Sequence, residues 1–224
     1  MTEHEAPALV EGYTAEPPEP PFNQELLPAP VAITAYSGDS LSNLSIDQFS
    51  LYGVACVVDH RAPVPHSENS RYDWLTERQE LALLLGAMGM SAGQSADFLV
   101  CGGQTINTNR RNGLRRLGAQ GKSAIHVGTR KLVETGVVTF TDTITLPFAE
   151  EPRIGLYLTG LSEGKTLEKL HLDVMRETGM RFRPDQVKTD IRNFRKKYHI
   201  PGMSLAILAG MGAGKIHFNG PAKE

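Results

Sequence analysis

Residues 75–117 read LTERQELALLLGAMGMSAGQSADFLVCGGQTINTNRRNGLRRL, and three helices with two short turns follow from that spacing. Thr76 with Gln79 three residues later is a capping-box pattern, in which hydroxyl and amide each satisfy a free backbone N–H, so a helix is predicted from Glu77. Leu81, Leu84, Leu85 and Met88 recur at i, i+3, i+4 and i+7, one apolar stripe on a 3.6-residue period. Gly89 stops it. Ser91 can cap a second, short helix whose Ala96 is small enough for close approach, and Gly102-Gly103 supply permissive backbone for a turn. Thr105 then opens a third helix.

The same stretch resembles, without a gap, the helix-turn-helix of LuxR-type bacterial regulators. That pattern opens with a Leu-Thr cap, runs an apolar helix to Gly-Leu-Ser, continues through a short helix holding an Ala, and ends in Thr-Val-Lys with Lys-Leu-Gly farther on. Those places are held here by Leu75 and Thr76, Gly89-Met90-Ser91, Ala96 and Leu99, Thr105-Ile106-Asn107, and Arg116-Leu117-Gly118. The likeness covers about a fifth of the chain. It implies double-stranded DNA as the partner, with the family's base-contacting positions falling on Thr105, Asn107, Thr108 and Arg111. Family members carry a sensor or receiver domain ahead of one such unit and dimerise on paired half-sites.

The rest of the chain looks like a second copy. IGLYLTGLS at 154–162 repeats the character of LALLLGAMGMS, with Gly160-Leu161-Ser162 in place of Gly89-Met90-Ser91 at an offset of 71. At an offset of 81, VKTDIRNFRKKYHIPGMS (187–204) runs beside INTNRRNGLRRLGAQGKS (106–123), and Thr108/Thr189, Arg111/Arg192, Asn112/Asn193, Gly121/Gly202 and Ser123/Ser204 coincide. Such a match indicates internal duplication, with about ten extra residues between the first and third helices of the second unit. TLEKLHLDVMRETG supplies a longer second helix with Leu167, Leu170 and Val174 on one face and Gly179 as its stop, and Pro184 is placed to open the next.

A recognition helix holds one face to its own core and lays the other along the major groove. In the second unit Val187, Ile191, Phe194 and Tyr198 form a complete inward stripe, leaving Lys188, Thr189, Arg192, Arg195, Lys196 and Lys197 outward. The matching inward positions of the first unit are Ile106, Arg110, Gly113 and Leu117, so Arg110 and Gly113 depart from the family's apolar residues. Either Leu114 rotates inward or Arg110 snorkels out to a phosphate. Amide and guanidinium groups bond bidentately to adenine and guanine edges; what the resemblance implies as base contacts are Thr105, Asn107, Thr108 and Arg111, with Lys188, Thr189 and Arg192 as their equivalents in the second unit. Arg110, Arg115, Arg116, Arg195, Lys196 and Lys197 are the candidate phosphate contacts, which orient without reading sequence.

Charge is distributed unevenly. Residues 1–72 hold ten acidic and two basic side chains, net −8; 73–145 are net +2 and 146–224 net +4, so the overall −2 hides an acidic leader on a mildly basic body. Residues 1–30, rich in Pro and Glu, are expected to be disordered. The runs VAITAY (31–36) and FSLYGVACVV (49–58) read as two strands of a hairpin or small sheet. Two strands alone are marginal, so they must pack on the helical body, pair with a second copy to give a homodimer, or meet a partner. Residues 60–72 read as a linker.

Cys56 and Cys101 have no partner at metal-ligand spacing and read as free thiols of a reducing, cytoplasmic compartment. No apolar run spans a membrane and the acidic N-terminus is unlike a signal peptide. GMGAGK (210–215) lacks the first Gly and the Ser/Thr of a phosphate loop, so its glycines read as a helix stop. No catalytic motif, cofactor site or metal set is present, which argues against an enzyme. The expected fold is mainly α: two tandem helix-turn-helix units at 73–140 and 148–218, behind a disordered leader (1–30) and a strand-bearing segment (31–59). The expected function is that of a bacterial transcription regulator. The alternative is an interaction module that binds RNA polymerase, another regulator or its own copies.

Overall fold

The computed structural model describes residues 20–65, 73–146, 152–181 and 183–216. Helix α1 spans Glu77–Ala87, where the Thr76 N–H donates to Gln79 Oε1 at 3.3 Å. Ser91 caps α2 (Ala92–Phe98) by accepting from the Gln94 N–H at 3.2 Å, and Gln94 Oε1 accepts from the Ser91 N–H at 2.9 Å. Helix α3 (Gly103–Arg116) starts two residues before Thr105. The left-handed residue of the α2–α3 turn is Val100, φ 48°, rather than either glycine. Helix α4 (Ala124–Glu134) follows, and then α5 (Pro152–Ser162), α6 (Leu167–Thr178), α7 (Pro184–Lys197) and α8 (Met203–Gly212). Gly179 stops α6 at φ 67°, and Pro184 opens α7.

The two sets of four helices share their turns as well as their order. The Gly89 N–H donates to Gly86 O (3.1 Å) and that of Gly164 to Leu161 O (3.0 Å); Met90 pairs with Leu85 O (3.0 Å) and Lys165 with Gly160 O (2.9 Å). These matches set the offset of the first helices at 75, from Glu77 to Pro152, and not the 71 expected from Gly160-Leu161-Ser162. The expected register was wrong by one helical turn, and Gly160 and Ser162 lie inside α5. For α3 and α7 the offset of 81 stands: Ala119 N–H to Leu114 O (2.8 Å) is repeated by Ile200 N–H to Arg195 O (2.9 Å). Between these matched turns the second set is therefore six residues longer than the first, five of them in the longer α6.

Among the described residues a four-stranded antiparallel sheet accompanies the eight helices, so the fold is mixed α/β rather than mainly α. The strands are β1 (Val31–Ser37), β2 (Ser45–Leu51), β3 (Val54–Val58) and β4 (Val138–Phe140), paired in that order. The run expected to be one strand at 49–58 is itself a hairpin, turned at Tyr52 (φ 50°) and Gly53 (φ 81°). Positive φ at both central residues matches the twist of a two-residue hairpin. Strand β4, absent from the sequence expectation, pairs with β3, and β2 contacts α1. The leader strands thus pack on their own chain, leaving the outer edge of β1 without a strand partner among the described residues.

Residues 20–30 do not fit the expectation of disorder. Phe22 is buried, its ring 4.7 Å from that of Phe98 at the end of α2 and 5.2 Å from Tyr36. Residues 1–19 lie outside the described residues. The expected linker is packed over 60–65, where Ala62 and Val64 are buried and the Val64 N–H donates to Asp73 O at 2.8 Å; residues 66–72 lie outside. One contiguous core joins the sheet to both helix sets. At its centre every residue of α8 is buried. A helix apolar on all sides has to be enclosed, and α8 packs against α4, α5 and α1. Gly212 admits the neighbouring segment: a Cβ there would stand 2.5 Å from Ile144 Cδ1 and 2.8 Å from Phe140 Cε1.

Candidate nucleic-acid interface

Helix α3 presents Thr105, Asn107, Thr108, Arg111 and Arg115 to solvent. Arg110 and Arg116, expected at phosphates, are not among them. Arg110 turns inward between α1 and α2, its Nε donating to Ala82 O (2.9 Å) and its Nη2 to Met90 O (3.0 Å) and Ser95 Oγ (2.6 Å). Gly86 makes the room, since a Cβ there would lie 3.2 Å from Arg110 Nε. Burial lowers the guanidinium pKa to about 10, so it stays protonated at neutral pH. A buried charge persists when hydrogen bonds satisfy its donors, and here carbonyls and a hydroxyl do so. Arg116 is buried as well, its Nη1 donating to Gln79 Oε1 at 3.2 Å beside the start of α1. Both guanidiniums are engaged with partners inside the chain.

The second departure from the apolar stripe also has a packing reason. Gly113 faces α1, where a Cβ would stand 2.7 Å from Leu83 Cδ1, so the missing side chain lets the helices approach. Leu114 is half-buried and lies over Gly128 of α4.

Helix α7 keeps Val187 and Phe194 buried and Ile191 and Tyr198 half-buried, the stripe read from the sequence. Lys188, Thr189, Arg192, Arg195, Lys196 and Lys197 are exposed. Some of these groups are engaged within the chain. Arg195 folds back on the following turn, Nε donating to Ile200 O (3.3 Å) and Nη2 to Pro201 O, and the Lys197 ammonium sits 4.8 Å from the Tyr198 ring centre. Lys188 makes only a loose contact with Asp185, 3.6 Å away, and the Thr189 hydroxyl donates to Asp185 O at 3.1 Å. Asp190 takes hydrogen bonds from Tyr157 (2.8 Å) and Gln186 (2.7 Å) and lies 3.7 Å from Arg153. The acidic group nearest the centre of α7 is thereby held by its neighbours. Burial, with Asp190 beside it, pushes the Tyr157 phenol well above its ordinary pKa.

Two open grooves bring these faces together. One, of about 820 Å³, is lined by Gln94, Asn107, Arg111 and Arg115; the other, of about 960 Å³, by Lys188, Arg192, Arg195 and Lys196. They adjoin, sharing His126, Pro201 and Met203. The sequence offered no reason to single out His126, which has no partner at a recognisable spacing. Its Nδ1 is buried with no hydrogen-bond partner among the described residues, and burial pushes the imidazole pKa down. The junction is close-packed: a Cβ on Gly89, φ 91°, would meet Pro201 Cγ at 3.0 Å, and one on Gly202 would meet Gly89 Cα and O at 3.3 Å. The α1–α2 turn of one set thus abuts the α7–α8 turn of the other.

Of the residues expected to touch DNA, Thr105, Asn107, Thr108, Arg111, Arg115, Lys188, Thr189, Arg192 and Lys196 are exposed, with no tight ion pair among the described residues. Cys101 is exposed in the α2–α3 turn and Cys56 is buried in β3, where desolvation raises its thiol pKa to about 12. No described helix is long and apolar enough to cross a membrane. No protein-family model, curated protein or solved structure matches the chain.

Proposed function

We propose that the protein is a bacterial, cytoplasmic transcription regulator that binds double-stranded DNA through two tandem helix-turn-helix units, α2–α3 and α6–α7. The observation that supports this reading is the placement of two 14-residue helices at equivalent points of a repeated arrangement, with cationic and amide side chains on adjoining grooves. Linking two reading heads makes the second contact intramolecular, which raises avidity when the geometry admits both. The pairing of α4 with α8 would then do within one chain what a dimer interface does between two.

The test is retention on sheared genomic duplex DNA as salt is varied. Each neutralised phosphate contributes a slope of about −0.9 to the dependence of log K on log salt. Lys188→Ala with Arg192→Ala should lower affinity at low salt and flatten that slope; unchanged retention rejects the assignment of α7. Asn107→Ala should alter the footprint, and an unchanged footprint confines α3 to phosphate or protein contacts.

The interaction-module reading is favoured by a separate observation. Val100, Leu172 and Met180, on the α2–α3 turn, α6 and the α6–α7 turn, are 76%, 62% and 51% exposed. Apolar groups there, or the open edge of β1, would serve contact with RNA polymerase, another regulator or a second copy. Full DNA retention by a Val100→Ser, Leu172→Ser, Met180→Ser protein that has lost partner capture would place both activities on one chain.

A further inference from the structure

We propose that residues 1–19 of the chain dock on the two adjoining basic grooves of α3 and α7 and compete there with DNA. This rests on the DNA-binding reading only for the competition, not for the docking. The segment, MTEHEAPALVEGYTAEPPE, carries five glutamates and no Lys or Arg. The groove rims carry Arg111, Arg115, Lys188, Arg192 and Lys196, and the floors are apolar, with Leu114, Ile125 and Met203 in one and Leu161, Leu167 and Ile191 in the other. An acidic peptide with a short apolar centre, such as Leu9-Val10 between Glu5 and Glu11, matches both rim and floor.

The point at which this segment joins the fold favours the same surface. The Phe22 ring packs at a tilt against Phe98, the last residue of α2, so the segment enters beside the α2–α3 turn. From Phe22 back to Leu9 the chain can span about 45 Å when extended, and α3 is about 21 Å long. Reach is therefore not limiting. A short tether gives an effective concentration on the order of 1 mM, so a segment with an intrinsic affinity of about 0.1 mM would occupy the grooves and weaken DNA binding about tenfold.

Carbodiimide cross-linking of the full-length protein at low salt, without DNA, tests the docking. Amide links are expected from Glu3, Glu5, Glu11, Glu16 or Glu19 to Lys188, Lys196 or Lys122, and they should fade as salt rises. The close Lys131–Glu134 and Lys165–Asp173 pairs, 2.6 and 2.8 Å apart, provide internal controls. Control links without leader links overturn the proposal, as do leader links that form only between differently isotope-labelled copies.

The competition is read in DNA affinity. The full chain with all five glutamates changed to Gln, and separately with Leu9→Ser and Val10→Ser, should each bind duplex DNA about tenfold more tightly than the parent. A gain in the Gln variant alone, with no leader cross-links, reduces the effect to long-range repulsion and overturns the docking. If no form is retained on DNA, the function reading fails, while the cross-links still decide whether the segment docks.

Discussion

Replacing Arg110 with isoleucine, the residue its counterpart Ile191 already carries, separates a structural clamp from a DNA contact. The guanidinium makes three hydrogen bonds to groups on α1, the α1–α2 turn and α2. A hydrogen bond to a charged group contributes roughly 1.5–3 kcal/mol, and a buried acceptor left bare costs about 1–3 kcal/mol. Removing the cation returns part of its desolvation penalty, so the net loss for Arg110→Ile is about 2–4 kcal/mol. For a protein of this size each kcal/mol lowers Tm by roughly 2–4 °C, which predicts a fall of about 4–16 °C in thermal unfolding followed by circular dichroism.

Ser95→Ala should then cost less in the Arg110→Ile background than alone, with a coupling near 1 kcal/mol, because the two groups share a 2.6 Å bond. The phosphate-contact alternative predicts the reverse pattern: unchanged Tm, weaker DNA binding and a shallower salt slope. A Tm within about 2 °C of the parent would refute the clamp.

His60 bridges the sheet to α1, with Nε2 2.8 Å from Asp47 and Nδ1 2.6 Å from buried Glu80. The Glu80 hydrogen bond is the largest cause of a rise in its pKa from 6.5 to about 9, so its stabilisation is full below pH 6.5 and disappears as pH climbs through 9. After allowance for solvent screening this is about 1–2 kcal/mol; urea midpoints should fall between pH 6.5 and 9.5, and His60→Gln should flatten that decline. Gly89→Ala should destabilise by about 1–2 kcal/mol, since the residue is left-handed and abuts Pro201; a neutral outcome in urea denaturation would show that the junction yields. His199 is left-handed at φ 51° where the first helix set has Gly118 at φ 71°, so His199→Gly should raise stability by up to about 1 kcal/mol, and a lower urea midpoint would contradict this.

The helices of residues 75–117 were legible because caps and stripes are local signals. Thr76–Gln79 and Ser91–Gln94 act within one turn, and nothing distant alters them. The register of the repeat was less legible in α5 for a geometric reason. Sliding an apolar helix by four residues returns nearly the same face, so LYLTGLS fits at either offset, and only the turn bonds of Gly164 and Lys165 distinguish 75 from 71. The β2–β3 turn was hidden because Tyr52 occupies a left-handed position that sequence patterns reserve for Asn or Gly. For Arg110 the deciding neighbours, Gly86 and Ser95, lie far along the chain, and no local period reveals that they accommodate a guanidinium.

The offsets derived from the turns expose how each copy fills the same space. Gly86, Ser95 and Arg110 of the first set correspond to Leu161, Leu170 and Ile191 of the second, so one polar cluster faces one apolar cluster at equivalent places. Small and large residues also exchange. Leu85 and Ser95 correspond to Gly160 and Leu170, and a Cβ on Gly160 would stand only 2.2 Å from Leu170 Cδ1. Arg110→Ile alone should therefore be destabilising, because isoleucine would leave Met90 O bare and fill only part of the guanidinium site, whereas reproducing the second set's packing takes Leu85→Gly, Gly86→Leu and Ser95→Leu as well. The same comparison bears on the proposed function. With Arg110 and Arg116 committed to packing, the exposed cations of α3 are Arg111 and Arg115, while α7 exposes Lys188, Arg192, Arg195, Lys196 and Lys197. Phosphate attraction should fall mainly to α7, and base reading to the amide- and hydroxyl-bearing face of α3. Substitutions in α7 would then change affinity and salt slope with little effect on sequence preference, and those at Asn107 or Thr108 would do the opposite.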